Sequence, residues 1–224
     1  MSGSLTPASQ SSAAPNGVAV GFYGKLPARG DFVRAGLPRD FTDHWDDWLQ
    51  SVIAGSRALM GDSWLPAFLE APVWRFSLPP GQCGERAALG LMLPSVDKAG
   101  RYFPLTFAAL RATGVPGATS GPASAWLDQC EAAGRAALEN DTPPQDIADA
   151  LGAPVFFGEA GQSAGGVWWT EGSPRVQPAY LTLNHLPDVA TYAAMLGADV
   201  TATGAASDAM EQQVPGETTW ESPS

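Results

Sequence analysis

The stretch "DFTDHWDDWLQSVIAGSRALMG" (40–61) constrains the fold more than any other part of the chain. Phe41, Trp45, Trp48, Leu49, Val52, Ile53 and Met60 recur at three-to-four spacing, the period of one helix face. Asp40 is placed to cap the first amides and Gly61 to end the helix. A long helix with a single apolar stripe needs a broad apolar surface to lie on, and a sheet provides one. Short apolar runs bounded by Gly and Pro supply the strands: "VAVGFYG" (18–24), "VWRFSL" (73–78), "AALGLMLPSVD" (87–97) and "FPLTFAAL" (103–110). "GGVWWTEG" (165–172) and "PAYLTL" (178–183) read as a late strand pair.

Further helices are expected between and after these runs. "SWLPAFLEA" (63–71) suits a short one, and "GPASAWLDQCEAAGRAALEN" (121–140) a long one with Trp126, Cys130, Ala133 and Ala137 on a stripe. "PPQDIADALG" (143–152) and "LPDVATYAAMLG" (186–197) add two more. Strands separated by helices predict an α/β domain with its sheet covered on more than one side. The short hairpins predict a mixed rather than a purely parallel sheet.

A chain of 224 residues, 45% hydrophobic and 16% charged, fits one globular domain with loose ends. Residues 1–16 are rich in Ser, Ala and Pro, and residues 198–224 are small and acidic. Both are expected to be mobile tails flanking a domain over 17–197. Cys83 and Cys130 lack CxxC spacing and read as reduced core thiols, a disulfide being the minority reading. The opening residues show no basic and apolar signal pattern, and no apolar run is long enough to span a membrane, so a cytoplasmic location is expected.

Charge divides the chain. Residues 1–111 hold ten of the twelve Lys and Arg and nine of the 23 Asp and Glu; the rest of the chain has only Arg135 and Arg175 against fourteen acids. The overall charge of −11 argues against nucleic acid as the main partner, because phosphate binding needs a basic face.

The segment "GKLPARGDFVRAGLP" (24–38) invites several chemical readings. A phosphate loop fails on spacing: two residues rather than four separate Gly21 from Gly24-Lys25, and Leu26 stands where Ser or Thr would hold magnesium. Arg29-Gly30-Asp31 occurs often by chance and has no secreted context here. Asp43, Asp46 and Asp47 suit a solvated helix face, and His44 and His185 lack metal-ligand spacing, so neither metal nor cofactor is expected. Ser95 lacks the flanking glycines of a nucleophile elbow. A hydrolase would need His44 or His185 brought to it by the fold.

Period-two alternation puts Trp74, Phe76 and Leu78 on one face of their strand and Val73, Arg75 and Ser77 on the other. If helices cover both faces, Arg75 leaves water and needs a carboxylate. Asp31 and Asp97 are the expected partners. With Arg34, Ser95 and Arg101 they form an expected charge network tying the 24–38 loop to the strand ends.

Four blocks taken together are distinctive: "GFYGKLPARGDFVRAGLPRDFTDHWDDWLQ", "APVWRFSLPPGQCG", "LMLPSVDKAGRYFPLTF" and the late "VWWTEG". In order and spacing they resemble the TagF family, proteins associated with bacterial type VI secretion. The resemblance spans roughly residues 18–197 and is densest over 21–107; residues 112–160 carry no matching motif. It implies an α/β/α sandwich in the cytoplasm of a Gram-negative bacterium. It further implies a non-enzymatic, post-translational brake on assembly or firing of the secretion machine, linked to threonine phosphorylation and to a forkhead-associated scaffold protein. Lys25, Asp31, Arg34, Trp74, Arg75, Ser95, Asp97 and Arg101 match the family's motifs in place, and the family supplies no catalytic residues to carry over. Lys25, Arg29 and Arg34 are accordingly expected to face a protein partner. The competing reading is an anion or phosphopeptide sensor in which Lys25, Arg34, Arg75 and Arg101 converge.

Overall fold

A computed structural model describes residues 17–112, 122–140, 142–152 and 165–199. Both expected tails, 1–16 and nearly all of 198–224, lie outside the described residues.

Seven strands form one sheet: β1 (Val18–Gly24), β2 (Val33–Ala35), β3 (Trp74–Leu78), β4 (Ala87–Leu93), β5 (Leu105–Arg111), β6 (Gly166–Thr170) and β7 (Ala179–Leu183). Their spatial order is β2-β1-β5-β4-β3-β6-β7, and every pairing is antiparallel. The expectation of a mixed sheet is therefore corrected. Helices between strands suggested parallel crossovers, but here they carry the chain across the sheet into further hairpins.

The path makes this clear. The β1–β2 hairpin forms one edge, and α1 (Arg39–Met60) and α2 (Trp64–Leu69) carry the chain to β3. The β3–β4–β5 meander returns to β1. Helices α3 (Pro122–Glu139) and α4 (Pro144–Ala150) then lead to β6, and the β6–β7 hairpin closes the other edge before α5 (Val189–Met195).

Strand alternation sorts the interior into two clusters. One holds Phe41, Trp45, Leu49, Trp64, Phe68 and Tyr192 from α1, α2 and α5 with Trp74, Phe76, Leu78 and Trp168 from the sheet. The other holds Ala123, Trp126, Leu127, Cys130 and Ile147 from α3 and α4 with Phe22, Leu89, Leu91 and Phe107. Each fully buried large side chain contributes about 1.5–3 kcal/mol relative to exposure. The indoles of Trp45 and Trp168 lie nearly parallel, 6° apart with centroids 6.0 Å from each other, and Trp45 Nε1 donates to Thr106 Oγ1 at 2.9 Å. The α1 stripe is thus pinned to the sheet by both packing and a buried hydrogen bond.

Two local details depart from expectation. Pro38, in extended backbone with no side-chain bond, stands at the α1 N-cap; Asp40 sits inside the first turn, where its charge favours the helix dipole. Gly61 does end α1, at φ 56 with its amide donating to Arg57 O. The sequence pattern predicts loop where strand β2 lies. Three residues give too little alternation to see, yet Gly21 marks where β2 returns: a Cβ there would lie 1.9 Å from Ala35 O.

Candidate functional site

The 24–38 segment leaves β1 at Gly24 and lies against the 94–103 loop between β4 and β5. Gly24 has φ 148, and a Cβ there would meet Pro104 O at 2.2 Å, so glycine lets the loops close on each other. Lys25 then turns inward. It is 4% exposed, its Nζ donates to Asp97 Oδ2 at 2.9 Å, and the ammonium sits 4.0 Å from the Phe32 ring centroid. Lys25 is therefore a buried structural cation, which corrects its expected place at a partner surface. A lysine between glycine and proline reads as exposed loop, and its partner lies 72 residues away in sequence.

Asp97 is the hub of this region. Its Oδ1 accepts from the amides of Ala99 and Arg101, each at 2.9 Å, and its Oδ2 accepts from Lys25 and from Arg101 Nε at 2.6 Å. Burial alone would raise its pKa. The bonds from Lys25, Arg101 and Ala99 outweigh that and hold the carboxyl well below its ordinary range. Ser95 Oγ donates to Lys25 O at 2.7 Å, Lys98 N donates to Arg29 O at 3.0 Å, and the Arg101 guanidinium donates to Gly30 O. The two loops are cross-tied as one unit.

Arg75 belongs to a second, separate cluster. It is 9% exposed on β3, as the alternation requires, but neither Asp31 nor Asp97 is its partner. Its Nη2 donates to Asp128 Oδ1 at 2.8 Å and Glu131 Oε2 at 3.1 Å, both on α3, and Nη1 lies 3.7 Å from Glu171 Oε1 at the end of β6. Burial would raise the Glu131 pKa; hydrogen bonds from Arg135 and Arg75 bring it below normal instead. Asp31 is exposed and outside both clusters, a correction to its expected network role. Two of the acids that neutralise Arg75, Asp128 and Glu131, lie in the 112–160 stretch where the sequence shows no recognisable motif, whereas Glu171 belongs to the "VWWTEG" block. Their spacing was the available signal: Asp128 and Glu131 share a face of α3, with Arg135 one turn beyond Glu131.

The remaining expected residues separate. Arg29 and Arg34 are exposed, Arg34 on β2 opposite Tyr23. Lys25 and Arg101 meet on Asp97 while Arg75 is held by α3, so the four cations of the sensor reading do not converge. Ser95 spends its hydroxyl proton on a carbonyl, and His44 and His185 each bond a backbone carbonyl of their own segment. Trp74 Nε1 donates to Met195 O at 3.0 Å, tying β3 to α5. Among the described residues, no cluster of three His, Cys, Asp or Glu could hold a metal ion, and no helix is long and apolar enough to cross a membrane.

An all-antiparallel sheet, with one buried charge cluster of motif residues in its loops and a second centred on Arg75, defines an α/β domain. The TagF N-terminal domain, type VI secretion system-associated, matches residues 21–153, and the chain belongs to this family. Among solved structures, the crystal structure of PA0076 from Pseudomonas aeruginosa PAO1 is similar at 32% identity and a TM-score of 0.71, covering 88% of this chain and 100% of that one. No curated protein matches the chain.

Proposed function

We propose that this protein is a non-enzymatic regulator that restrains assembly or firing of the type VI secretion system by binding a forkhead-associated scaffold protein in the bacterial cytoplasm. The two interior clusters, each formed with its own set of helices, support a three-layer α/β/α sandwich as the platform. Family membership supplies the secretion context. The observation that carries the reading is the use of the motif charges: Lys25, Ser95 and Asp97 are turned inward and mutually bonded, so they brace a surface instead of lining a reaction centre.

The test is overproduction of the chain in its native bacterium, scored by effector export, scaffold abundance and scaffold co-purification. Export is expected to fall while scaffold abundance stays constant and the tagged chain retains the scaffold. Unchanged export, or turnover of phosphothreonine on the scaffold by the purified chain, would overturn the proposal.

A further inference from the structure

The cross-tied loops end in a tip that combines an exposed aromatic ring with fixed cations. Phe32 stacks on Tyr23 with centroids 5.3 Å apart and meets the edge of Phe103 at 4.8 Å, yet remains 42% exposed. Arg101 is bound to Asp97 and Gly30 O, yet its side chain is 60% exposed. Both side chains have therefore lost most of their rotamer freedom before any partner arrives. Ordering entropy is a main cost of association, so this rigidity favours binding.

The charge of the tip is opposite to that of the whole chain. Residues 25, 29–32 and 97–101 together carry Lys25, Arg29, Lys98 and Arg101 against Asp31 and Asp97, on a protein of net charge −11. An aromatic anchor beside arginine is the composition of an interface centre. We infer that the tip formed by residues 29–32 and 98–101 is the docking surface of this protein. Its occupant is an acidic peptide segment with an apolar side chain that seats on Phe32. This rests on the proposed binding of the forkhead-associated scaffold, and places the acidic segment on that scaffold.

Binding of the full chain to the purified scaffold, measured across a salt series, tests it. Lys98→Glu is expected to weaken binding about tenfold and to flatten its salt dependence, and Phe32→Ser to weaken it about thirtyfold. Lys98 is exposed, so Lys98→Glu reads the surface even if Phe32→Ser also lowers the melting temperature. Scaffold binding by both variants within twofold of wild type would overturn the docking surface and leave the proposed function standing. Absence of binding by the wild type would overturn both. Selective loss of binding to anionic phospholipid vesicles, with scaffold binding intact, would reassign the tip to a lipid surface and overturn the inference.

Discussion

In the loop cluster one buried carboxylate, Asp97, gathers two cations and two backbone amides; in the helix cluster one buried guanidinium, Arg75, is shared among carboxylates on α3 and just after β6 that reach water. Removing the hub has different consequences in each. Without Asp97, the Lys25 ammonium stays buried with no counter-charge, and an uncompensated interior charge is among the costliest defects a fold can carry. Without Arg75, Asp128 and Glu171 turn to solvent, and only Glu131 remains partly enclosed.

The sharpest way to break this comparison is Asp97→Ala, expected to lower the melting temperature by more than about 10 °C. Its pH dependence identifies the cause. The folded carboxyl titrates below its ordinary value of 3.8, so its stabilisation is complete above that value and is lost as pH falls toward the folded-state pKa. The gap between wild type and Asp97→Ala is expected to be constant from about pH 8 to 5 and to narrow below about pH 4 in thermal melts. A gap that does not change with pH would mean that packing, not charge, is lost.

Arg75→Ala should cost less, about 2 kcal/mol in chemical denaturation, the scale of lost hydrogen bonds to charged groups. A loss equal to that of Asp97→Ala would show that the helix cluster is as closed as the loop cluster. Arg135→Ala comes last. This exposed guanidinium pairs with Glu131 one turn away, and its removal should change stability by no more than about 0.5 kcal/mol. A larger effect would mean that Arg135 orients Glu131 toward Arg75.

The same contrast shows which parts of the fold are legible in the sequence. The α1 stripe and the alternation that buries Arg75 are local periodicities, and they hold residue by residue. The sheet's direction, the β2 strand and the identity of the Arg75 partners depend on how distant segments meet, which no short window encodes. Lys25 is the clearest case. Gly24 and Pro27 mark a turn, turns are usually exposed, and only the approach of the 94–103 loop makes that lysine interior. Phe32 is inconspicuous in the sequence for the same reason: one aromatic residue in a polar loop has no period, and its significance comes from Tyr23, Phe103 and Lys25 around it.

The nearly parallel indoles of Trp45 and Trp168 belong to opposite partners, one on α1 and one on β6. Excited states of rings at that spacing couple, so near-ultraviolet dichroism and intrinsic fluorescence report whether α1 is seated on the sheet. The unlabelled chain thus carries its own optical gauge of the contact that holds the helix layer in place.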